Sequence, residues 1–137
     1  HQKVFLTLLL IAGHAVIFRM FPEDLHHIQY SMAVQILKNK IGNNVKAIPS
    51  YAFYNCVSLE IINIPESVTT INSNTFAGCE SLTSVTIPNV VTNIKVGAFR
   101  GCTALTTINY KGTETDWNNI VIEQDAVPNG ITINYNQ

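Results

Sequence analysis

The three cysteines are the side chains best suited to bind a metal or act as a nucleophile, and their spacing is regular. Cys56, Cys79 and Cys102 recur at one constant interval along the chain. A zinc site or a redox pair is built on a short pattern such as Cys-x-x-Cys, which the sequence lacks. We therefore expect the thiols to be buried and reduced at equivalent positions of a repeat, although stacked repeats could also bring two of them to disulfide distance.

The four histidines do not suggest a catalytic or metal site either. All of them precede Ile28, and only His26 and His27 are adjacent. Neighbouring residues point about 100° apart on a helix, so this pair is poorly placed to share one ion. The sequence contains no phosphate-binding loop, nucleophile elbow, zinc-protease motif or dinucleotide fingerprint. These observations predict a protein with no enzymatic activity, no metal and no cofactor.

The elements that hold the cysteines repeat along the chain. Seven apolar columns share the 23-residue period of the cysteines without an insertion. One such unit is too small to bury its own apolar side chains, whereas stacked units turn each column into a continuous core. The columns are Val45, Val68 and Val91; Ile48, Ile71 and Ile94; Phe53, Phe76 and Phe99; Cys56, Cys79 and Cys102; Leu59, Leu82 and Leu105; Ile62, Val85 and Ile108; Ile64, Ile87 and Tyr110.

Each unit predicts the same local structure. Residues 85–87 alternate Val, Thr and Ile, as a half-buried strand does, and Pro88 ends the strand. A second short strand is expected over residues 68–71, and the polar, glycine-containing stretch 72–79 predicts one helical or 3₁₀ turn. Adjacent coils should then lie about 4.8 Å apart, the separation of hydrogen-bonded strands.

These residues carry a family resemblance. The pattern I-x4-F-x2-C-x2-L-x2-[VI]-x-I-P resembles the BspA-like leucine-rich repeat, although the third copy ends in Tyr110-Lys111 instead of Ile-Pro. The resemblance implies an α/β repeat solenoid, a short right-handed stack of β-rich, 23-residue coils over residues 45–113. It also implies a C-terminal β cap over residues 114–137, in which Trp117-Asn118 precedes a final strand at 131–135.

Residues 1–44 fall outside this repeat and are expected to form an N-terminal cap or a docking element. Residues 4–18 are an apolar run interrupted by His14. Such a run could be a secretory signal, a membrane anchor, or a buried helix or strand that covers the solenoid or docks on a partner or a membrane. It is shorter than the roughly 20 residues that a spanning helix needs.

Residues 23–41 have the pattern of an amphipathic helix that ends at Gly42-Asn43-Asn44. We expect its apolar side to cover the first coil as a helical N-terminal cap, with docking on a partner as the alternative. Its apolar positions are Leu25, Ile28, Met32 and Ile36.

The outward positions of the longer strand form the candidate binding face. Repeat solenoids offer such positions as extended binding surfaces. A net charge of −1, with 12% charged residues and no cluster of Lys or Arg, argues against a nucleic-acid partner. The face consists of Glu60, Ile61, Asn63, Thr83, Ser84, Thr86, Thr106, Thr107 and Asn109.

The resemblance implies a non-enzymatic module for protein–protein interaction or adhesion. Its partner would be a host or cell-surface protein, and the module itself would be secreted or lie at the cell surface. The alternative is a structural component of a larger intracellular assembly, docked through the apolar N-terminus. Membrane contact would involve residues 4–18.

Overall fold

The computed structural model describes residues 47–57 and 59–137 in full, and residues 5–11 and 14–20 as backbone only. Within these ranges the helix α1 spans Glu114–Asn118, and no helix there is long and apolar enough to cross a membrane. The strands in chain order are β1 Phe5–Ile11, β2 His14–Met20, β3 Ala47–Ile48, β4 Ile61–Asn63, β5 Thr70–Ile71, β6 Ser84–Ile87, β7 Asn93–Ile94, β8 Thr107–Tyr110, β9 Val121–Ile122 and β10 Thr132–Asn134.

The apolar run near the N-terminus contains a hairpin. β1 and β2 pair antiparallel, from Phe5 opposite Met20 to Ile11 opposite His14. We considered a helix and a strand for this run, and its described backbone forms strands. The β preference of its Val, Ile, Phe and Thr residues favours this outcome. A role as signal, anchor or docking element stays a prediction. The helix predicted over residues 23–41 lies outside the described residues.

The remaining strands form a β-solenoid of four coils. Two four-stranded parallel sheets run along it, in the orders β10-β8-β6-β4 and β3-β5-β7-β9. A parallel neighbour is reached only through a crossover, so the chain returns to each sheet once per coil. The predicted order of longer strand, turn and short strand in each coil is therefore confirmed. The helical or 3₁₀ turn expected over residues 72–79 is instead a series of turns at residues 73–78. Helix in the described part is limited to α1, so the coils are β-rich.

The strand register follows the sequence period in the first three coils and departs from it in the fourth. Ile62 lies opposite Val85 and Ile71 opposite Ile94, so strand partners are one sequence period apart in each sheet. In the last coil Val121 pairs with Asn93 and Thr132 with Thr107, and both separations exceed the period. The extra residues before β9 accommodate α1, so residues 114–137 continue both sheets as a fourth coil.

The core consists of the predicted columns. Every column residue is buried except Val45, which lies outside the described residues. The rings of Phe53, Phe76 and Phe99 stack with centroids 5.0 and 5.2 Å apart and planes inclined by 17° and 3°. This separation matches the spacing of adjacent strands, so one ring per coil fills the column. Each fully buried ring stabilises the fold by about 1.5–3 kcal/mol of hydrophobic free energy.

The tight turn of each coil depends on a residue with left-handed backbone. Asn55, Gly78 and Gly101 have φ of 55°, 77° and 74° at equivalent positions. Asparagine and glycine adopt this region at the least cost, which explains their use here. A Cβ on Gly78 would also meet the side-chain oxygen of Asn55 in the preceding coil.

We expect Gly78→Ala to destabilise the protein more than Gly130→Ala does. Both glycines have positive φ, at 77° and 79°, so both variants incur a backbone cost of about 1–2 kcal/mol. A Cβ on Gly130 meets nothing within 4 Å, whereas one on Gly78 meets Asn55. Urea denaturation of the two variants measures the difference in free energy of unfolding. Equal losses would contradict the tight stacking of the turns.

The helix α1 is fixed by a capping box. The Thr113 hydroxyl accepts a hydrogen bond from the Asp116 backbone N–H at 3.1 Å, and the Asp116 carboxylate accepts one from the Thr113 backbone N–H at 3.0 Å. The cap places Trp117 edge-on against Tyr110, with ring centroids 5.2 Å apart. Hydrogen bonding to the Asp116 carboxylate, first from the Thr113 backbone N–H and then from the Thr113 side chain, lowers the pKa of Asp116.

The lowered pKa of Asp116 predicts a pH-dependent contribution to stability. The ionised carboxylate stabilises the folded state above the unfolded pKa of about 3.9, and this contribution is lost as the pH falls through the lower folded pKa. We therefore expect Asp116→Asn to lower the melting temperature at pH 7 and to differ least from the parent at about pH 2. Glu114→Gln, in the same turn, is the control. A difference between parent and Asp116→Asn that does not change with pH would contradict this role.

Candidate functional site

The sheet of longer strands separates the core from an outward surface. Along β4, β6 and β8, side chains alternate between the two sides, as the pleat requires. Ile62, Val85 and Ile108 point inward and are buried. In each strand, the residues immediately before and after this buried residue point outward. We call the outward surface of β4, β6, β8 and β10, with the residue that precedes each of the first three strands, the long-strand face.

All nine residues predicted for the binding face lie on the long-strand face. Glu60, Ile61, Asn63, Thr83 and Thr106 are exposed, and the other four are half-buried. Strand pairing places them in three rows that run along the solenoid. The rows are Glu60, Thr83 and Thr106; Ile61, Ser84 and Thr107; Asn63, Thr86 and Asn109. Whether these residues bind a ligand stays a prediction.

Two threonines of the first row are held by the coil before them. The Thr83 hydroxyl donates to the Glu60 backbone carbonyl at 3.1 Å, and the Thr106 hydroxyl to the Thr83 carbonyl at 3.5 Å. The Thr106 and Thr107 hydroxyl oxygens lie 3.3 Å apart. These contacts fix hydroxyl positions before any partner arrives, which lowers the side-chain entropy that binding must overcome.

The fourth coil adds two residues to the face that the sequence prediction missed. Thr132 lies beside Thr107, and the Asn134 side-chain amide donates to the Asn109 side-chain oxygen at 3.0 Å. Both were missed because the fourth coil does not keep the 23-residue period. A signal was present, since residues 107–110 and 132–135 both read Thr-Ile-Asn-Tyr.

The face is a polar surface that is mostly uncharged. It presents hydroxyl and amide groups, the carboxylate of Glu60 at one end, and the exposed aliphatic side chain of Ile61. Such groups donate and accept hydrogen bonds but carry no nucleophile paired with a base. Among the residues that the structure describes, no group of three His, Cys, Asp or Glu side chains is placed to hold a metal ion.

The cysteines lie in the core and not on this face. All three are free and buried. The Cys79 thiol donates to the Phe53 carbonyl and the Cys102 thiol to the Phe76 carbonyl, both at 3.1 Å. Hydrogen bonds with the neighbouring Cys102 and Cys56 thiols, together with burial, raise the pKa of Cys79. The prediction of buried thiols is therefore confirmed. The raised pKa disfavours a reactive thiolate at Cys79, whereas the hydrogen bond with Cys79 lowers the pKa of Cys102.

The profile of the BspA type leucine rich repeat region matches residues 22–129 in six copies. This chain belongs to the BspA-type leucine-rich repeat family. The resemblance inferred from the Phe, Cys, Leu and Ile-Pro positions is thereby confirmed. Leucine-rich repeat proteins of this kind are generally protein-interaction modules, and many lie at the cell surface.

Two solved structures resemble this BspA-type chain. One is a leucine rich cell surface protein from Faecalibacterium prausnitzii A2-165, with 42% identity over 58% of this chain and a TM-score of 0.57. The other is a leucine-rich repeat protein from Bacteroides ovatus ATCC 8483, with 35% identity over 69% of this chain and a TM-score of 0.42. The BspA-type chain spans 21% and 20% of their respective lengths. Comparison with curated proteins gave no match.

Proposed function

We propose that this BspA-type chain binds a protein partner through the long-strand face. The observation that carries the proposal is the row arrangement of that face, in which equivalent polar side chains of successive coils lie side by side. Such a surface is extended and rigid because each coil is hydrogen-bonded to the next. An extended rigid surface suits a protein partner better than a small molecule, which needs a concave pocket.

The composition of the face supports a protein partner over a nucleic acid. Its side chains carry hydroxyl, amide and aliphatic groups, and Glu60 is its charged residue. Protein interfaces of this polarity are held by direct and water-mediated hydrogen bonds around a smaller apolar contact. Ile61, whose side chain is 59% exposed, offers that apolar contact.

The setting that we propose is the cell surface, where the partner is a protein of a host or of another cell. This part of the proposal rests on the similarity to the cell surface protein of Faecalibacterium prausnitzii, 42% identical over the shared region. Adhesion is the form of binding that we propose for such a module. The low charge and the many Thr and Asn residues of the chain are compatible with that setting.

We also propose that residues 114–137 close the C-terminal end of the solenoid as a β cap. Trp117 packs on Tyr110, the last residue of β8, and β10 covers the free edge of that strand. Terminal units of repeat proteins characteristically differ from the internal ones in this way.

Photo-crosslinking tests the proposed face. A benzophenone amino acid is placed at Ile61 on the long-strand face in one variant and at Val90, 40% exposed on a turn, in the other. Both are incubated with proteins released from surfaces of candidate host and neighbouring cells. We expect the Ile61 variant to capture a defined protein that untagged parent competes away. Equal capture by both variants, or capture by the Val90 variant alone, would contradict the proposal.

A further inference from the structure

The turn before β10 contains an asparagine followed by a glycine. Asn129 and Gly130 are both exposed, and Gly130 has a φ of 79°. A Cβ built on Gly130 meets nothing within 4 Å. Among the residues that the structure describes, none forms a hydrogen bond with the Asn129 side chain or with the Gly130 backbone N–H. Both groups are therefore available to react with each other.

An asparagine that precedes a glycine can lose its side-chain amide. The backbone nitrogen of Gly130 attacks the side-chain carbonyl carbon of Asn129, and the new N–C bond closes a five-membered succinimide ring. The C–N bond of the side-chain amide breaks, and ammonia leaves with the proton that the Gly130 nitrogen gives up. Water then opens the ring at either carbonyl carbon, which yields aspartate or isoaspartate. Ring closure is easiest before glycine, because no Cβ hinders the attacking nitrogen.

We propose that Asn129 is a modification site, at which the fourth coil deamidates spontaneously to aspartate and isoaspartate. The product adds a carboxylate to a surface cavity of about 350 Å³ that Asn129 lines together with Arg100 and Asp125. Arg100 Nη2 lies 3.6 Å from Asp125 Oδ2, and both side chains are more than half exposed. An exposed ion pair of this kind is weak, so the new carboxylate competes with Asp125 for Arg100.

The environment of Asn72 shows how the fold protects another asparagine from this reaction. Asn72 precedes Ser73, which is also a small residue, and both are half-buried. The Asn72 side-chain amide donates to the Ile48 backbone carbonyl at 2.8 Å. The Asn72 backbone carbonyl accepts a hydrogen bond from the Thr75 hydroxyl at 2.8 Å. The Asn72 amide must therefore leave a hydrogen bond to the preceding coil before it can react, whereas the Asn129 amide need not.

Isoaspartate at this position also changes the path of the main chain. Its side-chain methylene becomes part of the backbone, so the turn before β10 is longer by one carbon atom. Thr132 lies in β10 shortly after this turn, and its backbone N–H donates to the Thr106 carbonyl at 2.9 Å. We therefore expect isoaspartate to loosen the pairing of β10 with β8. Aspartate leaves the backbone unchanged and should not have this effect.

Peptide mass spectrometry of the folded, full chain tests the site. The chain is incubated at neutral pH and sampled at intervals, and the deamidated fraction is measured separately at Asn129 and at Asn72. We expect the rate at Asn129 to exceed that at Asn72 at least about tenfold, because a hydrogen bond holds only the Asn72 amide. Equal rates would overturn the proposal. It would also be overturned if Asn129 stayed intact while a free peptide of residues 125–133 was converted.

Hydrogen–deuterium exchange tests the effect on β10. The isoaspartate form of the chain is compared with the unmodified parent and with Asn129→Asp, which adds the carboxylate and keeps the normal backbone. We expect the Thr132 amide to exchange at least about fivefold faster in the isoaspartate form, and at the parental rate in Asn129→Asp. Equal exchange in all three forms, or equally fast exchange in Asn129→Asp, would overturn the assignment of the effect to the lengthened backbone.

Discussion

Replacing Phe76 with alanine should remove a large part of the stability of the protein. The Phe76 ring is 0% exposed and is stacked between Phe53 and Phe99, at 5.0 and 5.2 Å. Truncating a buried phenylalanine costs about 3–5 kcal/mol, from lost transfer free energy and from the cavity that remains. Domains of this size are stabilised by only about 5–15 kcal/mol in total. Because coils interact with their nearest neighbours, a cavity in the second coil weakens both adjoining interfaces.

The matched control for this variant is Tyr54→Ala. Tyr54 is an aromatic residue in the equivalent turn of the first coil, but it is 47% exposed. It makes an edge-on contact with Tyr51 at 5.3 Å, so we expect a loss of about 1 kcal/mol. Urea denaturation followed by circular dichroism gives both free energies of unfolding. A Phe76→Ala loss as small as that of Tyr54→Ala would contradict the stacked column.

The second large effect is expected on binding and not on stability. Thr107 is a half-buried residue of β8 at the centre of the long-strand face. Thr107→Arg adds a long charged side chain there, so the partner identified by crosslinking would meet a steric and electrostatic obstacle. We expect its dissociation constant to rise at least tenfold, equivalent to about 1.4 kcal/mol. The free energy of unfolding should change by less than about 1 kcal/mol.

The control places the same substitution on the other sheet. Thr70 in β5 is also a half-buried threonine of a parallel strand that is paired on both sides. Thr70→Arg should leave the dissociation constant within about twofold of the parent. Surface plasmon resonance measures both constants, and circular dichroism verifies that both variants are folded. If Thr70→Arg weakened binding as much as Thr107→Arg, the long-strand face would not be the binding surface.

The repeated part of the fold was predictable because its physics is local and periodic. Columns such as Phe53, Phe76 and Phe99 fix which residues face the core, and the period fixes the strand register. The same period placed the nine face residues in rows, since strand partners in β4, β6 and β8 are always one period apart. The buried state of the cysteines followed from their column.

The other features are set by interactions that the period does not encode. The fourth coil keeps the sheets but not the spacing, because α1 inserts residues before β9. The sequence prediction therefore missed Thr132 and Asn134, although the repeated Thr-Ile-Asn-Tyr motif was a signal for them. The N-terminal apolar run was compatible with helix or strand, since a continuous apolar stretch has no periodicity to separate them. Its pairing as β1 and β2 depends on contacts between the two halves of the run.

Hydroxyl-radical footprinting of the complex tests the central claim, that the long-strand face is the surface that binds a protein partner. Ile61 on that face and Val121 on the other sheet are aliphatic and similarly exposed, at 59% and 56%. Their oxidation rates should therefore be comparable in the free chain. Upon binding, we expect the oxidation of Ile61 to slow several-fold while that of Val121 stays unchanged. Protection of Val121 with Ile61 still fully reactive would contradict the account.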